Sequence, residues 1–286
     1  MNILKKLGLT LLATATLQSQ AASVWKVTNG SNTLYIGGTI HLLTPQDYPL
    51  PKAYDKAYHA ADKVIFETNM ETIGNAMFKQ DMQAKLSYAD GTTIDQVISA
   101  DTYQSLKIYL DARQVPITAL KHLRPTALAM SLSLIELKHL GFTSAGVDQF
   151  YAQKAKQDKK PQGWLEEPES QIDVLSDLDG DDSDNMINYT LSDIKNMPKV
   201  MDDLRNSWRK GDVEAMANIE LNDFQKDYPD IYHALLVKRN DLWLPQIEAM
   251  LENSRVEFVM VGAMHLAGPD SLLASLKNNG YQVSRL

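Results

Sequence analysis

Apolar residues follow two rhythms along this chain, and the rhythms occupy different parts of it. Near both ends they form short runs rich in β-branched and aromatic residues, whereas the long middle repeats them at spacings of three and four. Residues 23–28 and 33–37 read as two strands joined by Asn29, Gly30, Ser31 and Asn32, a hairpin by its turn chemistry. Residues 63–67 form an apolar strand that stops at a carboxylate, Glu67, and residues 162–166 form a shorter one that ends in Glu166 and Glu167. Residues 256–261 and 281–286 read as two closing strands. Helical spacing begins at Pro51, with Tyr54, Ala57, Tyr58 and Ala61 on one face, and continues through residues 73–86, 100–112 and 117–140, with a break at Pro116 and a bend expected near Pro125. A helix over 147–157 carries Asp148 in its first turn, and residues 169–227 form a helical block punctuated by Pro198 and Gly211, with Trp208, Met216, Phe224 and Tyr228 as core. Helices over 231–253 and 271–278 complete the pattern. Strands at both ends with helices between them predict an α+β (α/β-like) fold built from both termini.

Two of the predicted strands finish in the same way. Gly38, Thr39, Ile40 and His41 follow the first apolar run, and Gly262, Ala263, Met264 and His265 follow the last but one. Two Gly-x-x-His signatures, each behind a buried strand, point to one site assembled from both ends of the chain. The alternative for either histidine alone is a turn residue that caps the next helix. Glu67 emerges from another strand end and supplies a third partner. Arg239 and Asn240 sit inside the last long helix among Leu235, Leu236, Leu242 and Trp243, a setting that predicts a partly buried, paired arginine. The other histidines, His59, His122, His139 and His233, lie in helical runs without the glycine context and read as surface or packing residues.

Composition narrows the setting. Lys5 and Lys6 precede an apolar run over 7–17, and Ser19 to Ala21 offer small residues where a signal peptidase reads, so residues 1–21 are expected to be a signal peptide cleaved near Ala21. Residues 22–286 show no Gly/Ser/Pro linker and read as a single domain, periplasmic or secreted. No later stretch is apolar for long enough to span a membrane. Cys is absent, which excludes disulfides and a thiol nucleophile. Loss of the two leader lysines takes the net charge from −8 to −10, a balance that argues against nucleic acid as a partner. An acidic stretch over 177–184 has calcium-loop character but lacks the spaced terminal Glu and reads as a solvated loop. His-x-x-x-His, Gly-x-Ser-x-Gly and phosphate-loop motifs are absent.

With Gly38 to His41, Glu67 and Gly262 to Gly268 in this order, the chain resembles the TraB/GumN family, relatives of the Tiki proteases within the erythromycin-esterase/ChaN-like group. Leu123 to Pro125, Gly146 to Asp148, Leu165 to Gln171 and Arg239 with Asn240 fall where that pattern has comparable residues. One departure stands out: Glu167 and Pro168 follow Glu166 where a small hydroxyl residue is expected. The resemblance implies two small β-sheets flanked by helices with a large helical middle, a site at the strand ends, and, for the Tiki branch, a metal-dependent peptidase.

The residue chemistry admits three classes. His41, Glu67 and His265 make a His2Glu set able to hold a divalent ion, Mn, Co or Zn, with a position open for water that would attack a peptide or other carbonyl substrate. Glu166 or Asp148 would then hold a ligand imidazole or move the proton, and Arg239, beside Asn240, would stabilise an oxyanion or bind a substrate carboxylate. The second class is a metal-independent, esterase-like hydrolase in which one histidine is the base and Glu67 orients it. The third is binding without turnover, of haem, a metal chelate or a peptide signal.

Overall fold

The computed structural model describes residues 22–178 and 182–286. The expected leader and part of the acidic stretch, residues 179–181, lie outside the described residues. Among the described residues there are eight strands: β1 (Val24–Asn29), β2 (Asn32–Thr39), β3 (Leu42–Leu43), β4 (Lys63–Phe66), β5 (Ser144–Ala145), β6 (Gln162–Trp164), β7 (Glu257–Gly262) and β8 (Gln282–Arg285). Six of them form one sheet in the order β6-β4-β7-β2-β1-β8, and β3 pairs with β5 in a second, two-stranded sheet. The fold is α+β, with two sheets and a large helical middle, as the sequence implies.

In the main sheet β6, β4, β7 and β2 run parallel; β1 pairs antiparallel with β2, and β8 pairs antiparallel with β1. Parallel strands need cover on both faces, and β7 shows why its sequence is a continuous apolar run. Phe258 and Met260 join one buried cluster with Val64, Phe66, Tyr54, Tyr58, Tyr151 and Trp208. Val259 and Val261 join another, with Ile65, Leu34, Ile36, Trp243, Ile247 and Leu272. The helices over the first face are α1 (Lys52–Ala60), α6 (Val147–Gln157) and α9 (Met197–Lys210); those over the second are α13 (Lys238–Met250) and α14 (Leu272–Asn278).

The intervening helices are α2 (Met70–Gly74), α3 (Ala76–Lys85), α4 (Ala100–Ala112), α5 (Pro125–His139), α7 (Pro168–Asp177), α8 (Ser183–Asp193), α10 (Val213–Met216), α11 (Asn222–Asp227) and α12 (Pro229–Tyr232). Leu106, Leu110, Leu128, Leu132 and Ile187 bring α4, α5 and α8 into a separate helical core.

Several boundaries differ from the periodicity, each for a local reason. The helix expected over 73–86 is two helices, because the Asn69 side chain accepts from Glu71 and Thr72 N–H and the Asn75 side chain from Met77 N–H, so each asparagine starts its own helix. Pro125 does not bend a helix; it opens α5 in the first turn, where its missing N–H costs nothing. The last long helix is preceded by a π-helical turn, His233–Val237. β6 stops at Trp164, so Glu166 lies beyond the strand. Trp208 and Met216 are buried, whereas Phe224 and Tyr228 are only half-buried. In the acidic stretch, the Asp182 side chain caps α8 by accepting from Asn185 N–H, and Asp184 accepts from Ser99 Oγ at 2.7 Å. His59, His122, His139 and His233 are all exposed.

Candidate active site

Each of the four parallel strands delivers one of the expected residues just past its C-terminal end: β2 leads to His41, β4 to Glu67, β6 to Glu166 and β7 to His265. Parallel topology gathers such ends on one edge of a sheet, where helices cannot cover them. The two glycine motifs also touch. A Cβ on Gly38 would lie 3.1 Å from Ala263 Cα and 3.3 Å from Leu266 Cδ1, so the glycine of the first motif makes room for the turn, Ala263–Leu266, that carries the second histidine.

His41 is held by the small sheet. Leu42 pairs with Ala145 and Leu43 with Ser144, and Val147 N–H donates to Ile40 O at 3.1 Å. Gly146 lies so close that a Cβ there would be 2.3 Å from His41 O, which only glycine permits. This clamp brings Asp148, in the first turn of α6, to His41, with Nδ1 and Oδ2 2.7 Å apart. The Asp148 charge, with its hydrogen bond, raises the His41 pKa to about 9. The His41 side chain is 66% exposed, so solvent screens the pair and leaves it at most ~1 kcal/mol of stability.

Glu67 is buried among donors. Gly262 N–H donates to Oε1 at 2.5 Å and Arg239 Nη2 to Oε2 at 2.7 Å. Burial works to raise its pKa, but attraction to His265, Arg239 and His41 and the Gly262 N–H outweigh it, and the pKa falls to about 2. Arg239 also donates through Nη2 to Glu166 Oε1 at 2.7 Å and lies 4.5 Å above the Trp243 ring. Glu166 Oε2 accepts from Trp243 Nε1 at 3.2 Å, and Gln171 Nε2 donates to Glu166 Oε1 at 2.9 Å.

His265 is buried, its ring 4.5 Å from that of Trp243. Asn240 Nδ2 donates to Asp270 O at 2.9 Å, which turns its Oδ1 toward His265 Nδ1 at 2.7 Å. An amide oxygen only accepts, so His265 carries its proton on Nδ1 and presents a lone pair at Nε2. That lone pair lies 3.3 Å from Arg239 Nη1 and 3.9 Å from Glu67 Oε1. Burial lowers the His265 pKa from 6.5 to about 4, against the pull of Glu67. Between those values the unfolded chain binds a proton that the folded chain refuses, so stability falls as the pH drops from 6.5 to 4. The loss is expected to approach about 3 kcal/mol. Urea unfolding of the wild type and of His265→Gln across that interval checks it, and parallel pH profiles would contradict the assignment.

The structure therefore brings all seven expected residues to the same end of the sheet as two bonded groups, His41 with Asp148 and the other five around Arg239, with roles the sequence left open. Asp148 holds His41, Asn240 holds His265, and Glu166 pairs with Arg239 instead of an imidazole. Glu67 orients neither histidine directly. Three partners escaped the sequence reading: Trp243, which reads as core; the Gly262 N–H, which no side-chain pattern signals; and Asp270, whose carbonyl orients Asn240. A cleft of about 1050 Å³ opens beside these residues, lined by His41, Glu67, Asp148, Gln171 and Trp164 among others; Arg239 and His265, which contact Glu67, are not part of its lining. Among the described residues no three His, Asp or Glu side chains are gathered closely enough to hold a metal ion as they stand. Both imidazoles are anchored at Nδ1 by outer partners, and Glu67 is ionised.

The TraB/PrgY/gumN family matches residues 23–285. An uncharacterized protein of Escherichia coli, YbaP, is 25% identical over 249 residues, covering 87% of this chain and 89% of that protein. Metalloprotease TIKI2 of Xenopus tropicalis is 24% identical over 307 residues, covering 87% of this chain and 57% of that protein. No solved structure matches the chain.

Proposed function

Since this chain belongs to the TraB/PrgY/gumN family, we propose that it is a hydrolase of peptide bonds whose cleft takes a divalent metal ion. One observation carries the reading: the Nδ1 atoms of His41 and His265 are tied to Asp148 and Asn240, which leaves both Nε2 atoms directed by outer partners, that of His265 3.9 Å from an ionised Glu67 whose cleft His41 shares. Imidazoles that ligate metals are held in this way. A distant relative named a metalloprotease supports the same class. His41, Glu67 and His265 would hold the ion, which when bound supplies an activated water and polarises a carbonyl.

The residues of the chain divide the remaining tasks. Glu67 contributes fixed negative charge, kept by the Gly262 N–H and Arg239. With His41 Nε2 committed to the ion and its Nδ1 held by Asp148, Asp148 is the cleft carboxylate that would move a proton to a leaving amine. Arg239, released from Glu67, would meet a developing oxyanion or a substrate carboxylate. A metal-free hydrolase is the second reading, favoured by the guanidinium beside both Glu67 and His265. Export to the periplasm belongs to the same proposal through the expected leader.

Metal analysis of the purified mature protein, coupled to peptide cleavage with and without chelator, separates the readings. Under the first, His265→Ala lowers bound metal at least about tenfold and chelator stops cleavage. Unchanged metal content in His265→Ala, or cleavage indifferent to chelator, would leave the metal-free reading. Absence of turnover with every metal would leave a binding protein.

A further inference from the structure

β6 is the edge strand of the main sheet, and its ladder to β4 can be read bond by bond. Val64 N–H donates to Pro161 O at 3.0 Å, Leu165 N–H donates to Phe66 O at 3.0 Å, and Val64 and Phe66 lie opposite Gln162 and Trp164. Only alternate residues of a parallel strand direct their backbone groups at a given neighbour. Gly163 therefore bonds β4, and the N–H and C=O of Gln162 and Trp164 point away from it. Both residues are exposed, and among the described residues no segment hydrogen-bonds those outward groups. Gln162, Gly163 and Trp164 also line the cleft that holds His41 and Glu67.

We propose that β6 is a peptide-docking edge, on which an extended peptide adds as a strand through the backbone of Gln162 and Trp164 and runs toward Glu67. Unspent backbone groups in extended geometry are complementary to another extended backbone, whatever its side chains. The edge borders the cleft: Glu166 N–H donates to Glu67 O at 2.9 Å, so the end of β6 lies beside the segment that carries Glu67. The Trp164 indole, 41% exposed and fixed by Nε1 donating to Glu167 Oε1 at 3.0 Å, offers an apolar surface to one side chain of the guest. The strand has three residues and is preceded by Lys159, Lys160 and Pro161. Shortness, lysine and proline are the features that stop edges from pairing with a second copy, and they leave room for a short peptide. Docking deepens the hydrolase reading but stands or falls separately from it.

Amide exchange on the full mature chain, followed by NMR with a randomised decapeptide pool, tests this. Docking slows exchange at Gln162 and Trp164 at least ~5-fold and leaves Gly163, already bonded to β4, unchanged. Trp164→Pro removes an outward N–H without touching the ladder and is expected to weaken pool binding about tenfold, whereas Trp164→Leu, which keeps the N–H, weakens it less. Protection without cleavage in the wild type would sink the hydrolase and keep the docking edge. Cleavage without protection, equal slowing at Gly163, or protection that appears only with dimerisation in sedimentation would overturn the docking edge.

Discussion

Replacing Arg239 with methionine is expected to cost about 3–5 kcal/mol of stability, because it leaves two buried carboxylates facing each other without their shared cation. Glu67 and Glu166 both accept from Nη2 at 2.7 Å, with side chains about 12% exposed. Methionine keeps the stem that covers the Trp243 ring, so the loss reports charge and hydrogen bonding instead of packing. At roughly 2–4 °C per kcal/mol for a chain of this size, the melting midpoint should fall by about 10 °C. Two further measurements sharpen the claim. Adding Glu166→Gln to the variant should restore part of the loss, since one of the stranded charges is then gone. Lowering the pH toward 4 should shrink the gap to wild type, because unpaired buried carboxylates protonate more readily than the paired Glu67 of the native protein. A methionine variant as stable as wild type would show that Glu67 and Glu166 do not depend on the guanidinium.

The Glu67→Gln variant is expected to lose peptide hydrolysis by at least ~10³-fold, since the amide removes the negative charge around which both histidines and Arg239 are arranged. It also offers one acceptor oxygen where two donors converge, the Gly262 N–H and Arg239 Nη2, so a modest cost of about 1–3 kcal/mol accompanies the kinetic loss. The pH dependence separates the two effects. The Glu67 carboxyl has a folded pKa near 2 against an ordinary 4.5, so its stabilisation is complete above 4.5 and is lost as the pH falls through 2. That acid limb should vanish in the variant, leaving the His265 limb between 6.5 and 4. Wild-type turnover in Glu67→Gln would remove this carboxylate from the chemistry.

How much of this was legible in the sequence differs from residue to residue. The apolar runs before Gly38, Glu67 and Gly262 marked buried strands because parallel strands covered on both faces have no polar positions to interrupt them. The expected strand over 33–37 stops before Gly38, yet β2 continues through Gly38 to Thr39. The difference has a spatial cause: Gly38 is small for the sake of Ala263 and Leu266, residues more than two hundred positions away. The bend expected near Pro125 and the single helix expected over 73–86 differ from the structure for another reason, since proline and asparagine serve equally as breakers and as starters, and only the hydrogen bonds at the helix end decide which.

By itself, then, the sequence determined six of the eight strands among the described residues, all but the two-residue β3 and β5, and put His41, Glu67, Glu166 and His265 at the ends of four of them, because turn chemistry and apolar runs are local properties. The tertiary structure alone decided the pairing: Asp148 with His41, Asn240 with His265, and Arg239 between Glu67 and Glu166. Those contacts join residues 107, 25, 172 and 73 positions apart. Each depends on strand order and on which face a helix turns inward. Both are settled by how the apolar faces of distant elements bury one another, and so no stretch of the chain contains them.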